Sequence, residues 1–301
     1  MGDRIRYRND PPGDVQAFDV KTGKRVWHYQ LVHHGLWDYD LPAPPVLATI
    51  TWNGKPRDVV AVPSKTAWIY VFDRETGKPI WPIVERPVPA SDVPGERASP
   101  TQPMPTNPAP FTRQSVSEKD LIDFTPELNR RAREQFAKYR SGPIFTPPSL
   151  EGTIVMPGSI GGAGWGSTSY DPVTHTLYVK ETDNPVLYRV QKGVPNDTIG
   201  YEYTVDLVRS GLGVTADPDS GKADRTPPEQ LPLFKPPYGT MTAIDLDTRT
   251  GAVVWQFDLP AGRGYANPVA YRGTNGVQYI VVATGGGDNA ALVAFSLDGK
   301  R

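Results

Sequence analysis

The sequence of 301 residues contains no cysteine. Disulfides, thiol nucleophiles and Cys-ligated zinc are thereby excluded, although the compartment is not fixed by this alone. Histidine is nearly as scarce: His28, His33, His34 and His175 are the whole supply, little material for a His-rich metal centre. No apolar run approaches the ~20 residues that cross a bilayer. The opening Met1-Gly2-Asp3-Arg4-Ile5-Arg6 has no hydrophobic stretch and does not read as a signal peptide. An excess of one charge is also missing, with 32 basic side chains against 33 acidic ones. A nucleic-acid binder would carry a basic surplus, so no nucleic-acid partner is expected.

Proline and glycine, by contrast, are plentiful, at 33 and 29 residues. That density breaks helices and feeds turns, which argues against a helix bundle or coiled coil. Aromatic residues make up 10% of the chain and can support a core. One pattern recurs at fixed spacing: Asp, then Thr-Gly beginning three residues on, then Trp four beyond the Gly. It reads Asp19-Thr22-Gly23-Trp27, Asp73-Thr76-Gly77-Trp81 and Asp247-Thr250-Gly251-Trp255. A degenerate copy runs through Asp171, Thr174 and His175 into Leu177-Tyr178-Val179, and a half-copy closes the chain at 294–299.

Each Asp ends an alternating strand, the Thr-Gly supplies turn chemistry, and the Trp falls on the returning strand. Repeated hairpins that each carry one docking aromatic point to an all-β propeller rather than a sandwich, which has no reason to repeat the Trp. Residues 44–84 read as one full unit of four strands, at 44–50, 58–63, 67–72 and 79–84. Looser groups cover 151–191, 238–259 and 267–297, giving four to five blades, some incomplete. Residues 85–150 interrupt the array. The part from 85 to 112 is Pro-rich, aperiodic and expected to be a loop. Thr125-Pro126-Glu127 then opens a helix, with Thr as N-cap and Pro in the first turn. Its apolar stripe is Leu128, Ala132, Phe136 and Tyr139, and its basic residues Arg130, Arg131, Arg133 and Lys138 are expected to face water.

The densest chemistry lies in His33-His34-Gly35-Leu36-Trp37-Asp38-Tyr39-Asp40. Aromatic residues are wasteful in a solvated loop, so this stretch is expected to line a cavity. A carboxylate beside an indole suits a general base. Asp38 and Asp40 equally suit a hard divalent cation, and a turn-capping role fits the same residues.

The stretch from Trp27 to Thr66 resembles pyrroloquinoline-quinone (PQQ) dependent dehydrogenases, most closely the membrane glucose dehydrogenase branch. The resemblance rests on Trp27-His28-Tyr29-Gln30, the run HHGLWDYDLPAPPVL and the Ser64-Lys65-Thr66 turn. It resumes at Gly142-Pro143-Ile144-Phe145-Thr146-Pro147-Pro148, at Gly161-Gly162-Ala163-Gly164-Trp165-Gly166, in the 243–255 repeat and through 259–287. Two departures are Gly35, where the family usually has an acidic residue, and Gly164, where Asn is frequent.

The resemblance implies a quinoprotein-type β-propeller, incomplete relative to the eight-bladed family fold. It would occupy residues 1–301 as a single domain, with the loop and helix of 85–150 inserted. It further implies Asp38 as catalytic base, Lys65 as the residue contacting the quinone oxygens, Trp165 and Asn184 as cofactor contacts, and Asp40 as a metal ligand. The implied cofactors are PQQ and Ca²⁺ or another divalent ion. The implied partners are a sugar or alcohol substrate and a membrane quinone or cytochrome as electron acceptor. The implied location is the periplasm, in association with the inner membrane. The reading from a different class is a non-catalytic PQQ-like propeller serving as a scaffold; a sugar-binding lectin-like propeller rests only on exposed aromatic residues.

Overall fold

The computed structural model describes residues 13–166, 168–193, 202–208, 212–215, 230–260, 267–285 and 290–296. The chain opens with the hairpin of β1 (Asp14–Phe18) and β2 (Arg25–Gln30). An antiparallel sheet of β3 (Val46–Trp52), β4 (Lys55–Pro63) and β5 (Ile69–Asp73) follows. The expected fourth strand of this unit is reduced to a bridge between Phe72 and Pro79, with the Ile80 amide donating to the Val71 carbonyl at 2.8 Å. Next come the pair β6 (Ile83–Pro87) and β7 (Thr101–Pro105), then the helix α1 (Pro126–Phe136).

Three sheets come after the helix, two of them interleaved. The strands are β8 (Thr153–Val155), β9 (Thr168–Asp171), β10 (Thr176–Lys180), β11 (Val186–Lys192), β12 (Tyr203–Val208), β13 (Gly213–Thr215), β14 (Gln230–Pro232), β15 (Thr240–Asp245) and β16 (Ala252–Asp258). Among them, β16-β15-β10-β9 form one four-stranded sheet, β12-β11-β8 another, and β13 pairs with β14. The last unit is β17 (Val269–Arg272), β18 (Gln278–Thr284) and β19 (Ala291–Ser296). Among the described residues, β1–β2 and β17–β19 share no ladder.

The physical order of the units follows from what each sheet buries. In β4, alternate side chains go opposite ways: Val60 and Val62 pack with Val15, Leu31 and Trp37, while Val59 and Ala61 pack with Leu177, Val179 and Ile244. Burial on both faces explains the nearly unbroken apolar run through β4 and β5. On the far side of the four-stranded sheet, Tyr178, Met241 and Ala243 meet Ile280 and Val282 of β18. Successive sheets therefore stack face to face, as blades of a propeller do. Each fully buried Val or Ile contributes about 1.5–3 kcal/mol to this stacking.

The repeated Trp has a specific task in that stack. Trp27 Nε1 donates to the carbonyl of Arg74, in the turn of the next unit, at 3.0 Å. Trp81 does the same to the carbonyl of Arg249 at 2.6 Å. Trp255 packs against Phe295 of β19, ring centroids 5.3 Å apart. The turns are built as the motif requires. Asp19 Oδ1 accepts from the Thr22 amide at 2.8 Å and hydroxyl at 3.0 Å, and Asp73 Oδ1 accepts the same pair from Thr76. The Thr76 hydroxyl, helped by Arg57, holds the Asp73 carboxyl down to about 2. The third copy departs from this: Asp247 accepts instead from the Thr51 amide and His175 Nδ1, tying its turn to β3 and to the β9–β10 turn. There, Thr248 bonds the Asp245 carbonyl and the Ala252 amide.

Three further sequence expectations are corrected. Residues 85–112 are not simply a loop, because β6 and β7 pair through Ile83↔Pro105 and Pro87↔Thr101. The groups 151–191 and 238–259 are not separate blades: β9 and β10 from the first join β15 and β16 from the second, while β8 and β11 leave for another sheet. The helix stands as expected, with Thr125 Oγ1 accepting from the Leu128 amide, but it ends at Phe136, before Tyr139. Part of the closing half-copy at 294–299 lies outside the described residues.

Gly77 and Gly23 separate backbone strain from docking. Both have positive φ, yet a Cβ on Gly77 would meet the Trp27 ring at 2.5 Å, whereas one on Gly23 would meet nothing within 4 Å. Gly23→Ala is expected to cost about 1–2 kcal/mol, the left-handed penalty alone. Gly77→Ala is expected to cost about 1–3 kcal/mol more, for displacing the indole. Urea unfolding of the two variants measures the difference, and equal losses would remove the docking interpretation.

Candidate active site

The site is built where the chain leaves β2. Leu31, whose amide donates to the Gly13 carbonyl at 2.7 Å, and Val32 are buried and anchor the exit. Two residues at alternate positions, Trp37 and Tyr39, then turn inward onto Phe145, with centroids 5.1 and 5.8 Å from it. Trp37 Nε1 donates to the Thr146 carbonyl at 2.8 Å, and Tyr39 Oη to the Pro157 carbonyl at 2.7 Å. Asp38 lies between these two anchors with φ of 62°, a left-handed conformation that Asp tolerates better than most side chains. Its side chain remains 36% exposed.

Lys65 approaches from the turn between β4 and β5. Ser64 and Trp68 close that turn, and Ala67, whose amide donates to the Ser64 carbonyl, takes φ of 69°. The carbonyls of Ser64, Lys65 and Thr66 accept from the Ala163 amide, the Gly162 amide and Gln114 Nε2. Gly161 packs so closely on the Lys65 stem that a Cβ there would lie 2.3 Å from Cγ. The Lys65 side chain, 8% exposed, directs Nζ to the Asp38 carbonyl at 2.9 Å, to Asp38 Oδ2 at 3.5 Å and onto Asp40 Oδ1. One buried ammonium thus faces two carboxylates that water still reaches.

The structure therefore brings Asp38, Asp40 and Lys65 together. Trp165 is on the loop that carries Gly161 and Gly162 and is itself 78% exposed. Asn184 is half-buried, its carbonyl packed against Gly158 at the start of the same loop. The imidazoles next to Asp38 are engaged elsewhere: His33 with Gln30 and Glu85, and His34 with Glu96 at 2.7 Å. A small apolar cleft touches the loop at Leu36, together with Val93, Pro148, Val190 and Val205, and none of the predicted site residues lines it. No group of three or more His, Asp or Glu converges to hold a metal among the described residues.

Sequence reading missed the support beneath Asn184. Arg113 grips Asp183 through Nε at 2.7 Å and Nη2 at 2.9 Å, a bidentate pair that fixes the strand end leading to Asn184. Arg113 directly follows the Pro-rich stretch of 85–112, and nothing in its surroundings marks it. Glu181, two residues before Asp183, is fully buried. Burial, and then the Asp183 charge, push its carboxyl up to about 8. Between its ordinary 4.5 and about 8, the folded chain holds a proton that the unfolded chain releases, so stability falls as pH rises through that window. Glu181→Gln removes this slope and is expected to gain roughly 1–3 kcal/mol over wild type at pH 8 and above, with little difference near pH 4. Urea unfolding across that range checks it, and parallel pH profiles would count against the buried carboxyl.

Residues 2–250 match the family described as PQQ, glucose/ethanol/alcohol dehydrogenase, beta-propeller domain. The quinate/shikimate dehydrogenase (quinone) of Acinetobacter baylyi is 34% identical over 252 residues, covering 81% of this chain and 31% of that protein. The quinoprotein glucose dehydrogenase of Escherichia coli is 34% identical over 267 residues, covering 85% and 32%. The glycerol dehydrogenase large subunit of Gluconobacter oxydans is 30% identical over 357 aligned positions, covering 94% and 48%. The chain spans between 31% and 48% of the length of these curated relatives. With its stacked antiparallel sheets and Trp-docked turns, the chain belongs to the PQQ-dependent glucose/ethanol/alcohol dehydrogenase beta-propeller family.

Proposed function

We propose that the chain is the PQQ-binding propeller of an oxidoreductase that oxidises a sugar or alcohol hydroxyl. The observation that carries this reading is the meeting of Lys65 Nζ with Asp38 and Asp40, from two separate turns, within a match to the family over residues 2–250. The printed names of the relatives, which include glucose, glycerol and quinate dehydrogenases, support the substrate class. In this reading residues 1–301 act as one propeller domain with the 85–150 insertion. The electron acceptor is a membrane quinone or a cytochrome, and the setting is the periplasm at the inner membrane. Among the described residues no helix is long and apolar enough to cross a membrane.

The donor set suits PQQ. A buried ammonium fits quinone oxygens that gain negative charge, and the exposed Trp165 ring on the neighbouring loop offers a flat apolar surface for a planar group. When bound, PQQ supplies the two-electron acceptor that takes the hydride from the carbinol carbon. The Asp38 carboxylate accepts the hydroxyl proton as the carbinol becomes a carbonyl. Lys65 supplies fixed positive charge at the developing negative charge, while its bond to the Asp38 carbonyl holds the base in place. Asn184, beside the same loop, contributes a polar cofactor contact. A Ca²⁺ ion at Asp40 would meet only two carboxylates already engaged by Lys65, short of the roughly six to eight oxygens such an ion takes.

The second reading, a non-catalytic scaffold, draws on the apolar side chains left exposed on the outer units, among them Phe18, Val26, Val269 and Leu292. Asp38→Asn separates the two, because Asn also tolerates the left-handed backbone. With added PQQ and Ca²⁺, this variant is expected to bind PQQ as wild type does while dye-coupled turnover of glucose or simple alcohols falls about 10²–10⁴-fold. PQQ binding without any wild-type turnover would establish the scaffold, and absence of both would reject the holoenzyme.

A further inference from the structure

We infer that Tyr188 is a positioning residue for Asp38: its hydroxyl holds the peptide before Asp38 while Lys65 holds the peptide after it. This rests on the reading of Asp38 as the base. Tyr188 Oη donates to the Trp37 carbonyl at 3.2 Å, from a side chain that is itself buried. Lys65 Nζ donates to the Asp38 carbonyl at 2.9 Å. The two peptide planes that meet at the Asp38 Cα are thus each fixed by one side-chain donor. Rotation about the bonds between those planes is what sets φ and ψ, and the carboxylate is carried with them.

The neighbouring anchors leave this control to Tyr188. The indole of Trp37 is held by Thr146, and the ring of Tyr39 by Pro157, so both flanking side chains are fixed at their tips. Neither bond touches the Trp37–Asp38 peptide itself. Tyr188 comes from β11, whose neighbours β8 and β12 belong to the sheet interleaved with the β9–β10–β15–β16 blade. Val186 and Tyr188 join the same apolar cluster as Trp37, Tyr39 and Phe145. That interleaved sheet therefore supplies the hydroxyl that steadies the left-handed residue, a conformation that persists only where its surroundings enforce it.

Tyr188→Phe removes the hydroxyl and keeps the ring. Tyr170→Phe is the control, because Tyr170 Oη also donates to a backbone carbonyl, that of Thr49 at 2.9 Å, from β9. The first readout is acylation of Lys65 by an amine-reactive ester, followed by peptide mass spectrometry and normalised to the exposed Lys55. Loss of one buried hydrogen bond is expected to raise Lys65 labelling about three- to tenfold in Tyr188→Phe and leave it unchanged in Tyr170→Phe. The second readout, with PQQ and Ca²⁺ added, is a kcat about tenfold lower at unchanged KM in Tyr188→Phe alone. Equal labelling in the two variants, whether raised in both or in neither, would overturn the positioning role, as would equal kcat values. If wild type shows no PQQ-dependent turnover, the functional reading fails, while the labelling comparison still decides the role of Tyr188.

Discussion

An indole ring resting on a glycine governs how the first two units of this fold meet. Trp27 lies so close to Gly77 that no side chain fits between them, and its Nε1 bonds the Arg74 carbonyl of the same turn. The contact fixes β2 against the end of β5. It therefore also fixes where the loop leaving β2 sets out. Trp37 and Tyr39 carry that loop inward to Phe145, and Asp38 emerges between them opposite the turn that carries Lys65. The docking of Trp27 on the 74–77 turn thus bears on where Asp38 meets Lys65.

The second constraint is electrostatic. An ammonium that is 8% exposed has lost most of its hydration and must be compensated. Asp40, Asp38 and the Asp38 carbonyl provide the compensation, and all of them belong to one short loop. Burying Lys65 therefore orders the loop that in turn neutralises it. The opposite wall is supplied by the 158–166 loop, whose Gly161 and Gly162 approach the 64–67 turn too closely for any side chain. The glycine-rich run at 161–166 is thus explained by packing in two of its positions.

Much of the local structure was legible in the sequence, and most of the long-range pairing was not. Asp-x-x-Thr-Gly reads directly as a turn because its bonds are local, Asp19 to Thr22 and Asp73 to Thr76. Thr125 and Pro126 likewise mark the helix start. The third copy shows the limit: its residues match, yet Asp247 serves Thr51 and His175, partners that spacing within the motif does not reveal. Nor does any local pattern announce that β10 pairs with β15 across an excursion containing two further sheets. The β6–β7 pair was hidden by its prolines, which erase alternation and remove amide donors. Asp38 and Lys65 were legible through a family resemblance, and their meeting needed the fold. Arg113 and Tyr188 were not, because each acts on a residue about 70 or 150 positions away.

The Trp-to-turn contact also has a direction. Trp27 reaches forward to the second unit, Trp81 to the third, and Trp255 to the fourth, and none reaches back. Trp27 and Trp81 each dock on a turn of the following unit, and Trp255 on a strand of the last, so these joints are heterologous, as in a head-to-tail chain of subunits. The Trp27 and Trp81 joints are built from the same two parts, an indole and a turn carbonyl. Whole units can then be gained or lost between two joints during evolution while the contacts on either side are rebuilt from the same two parts.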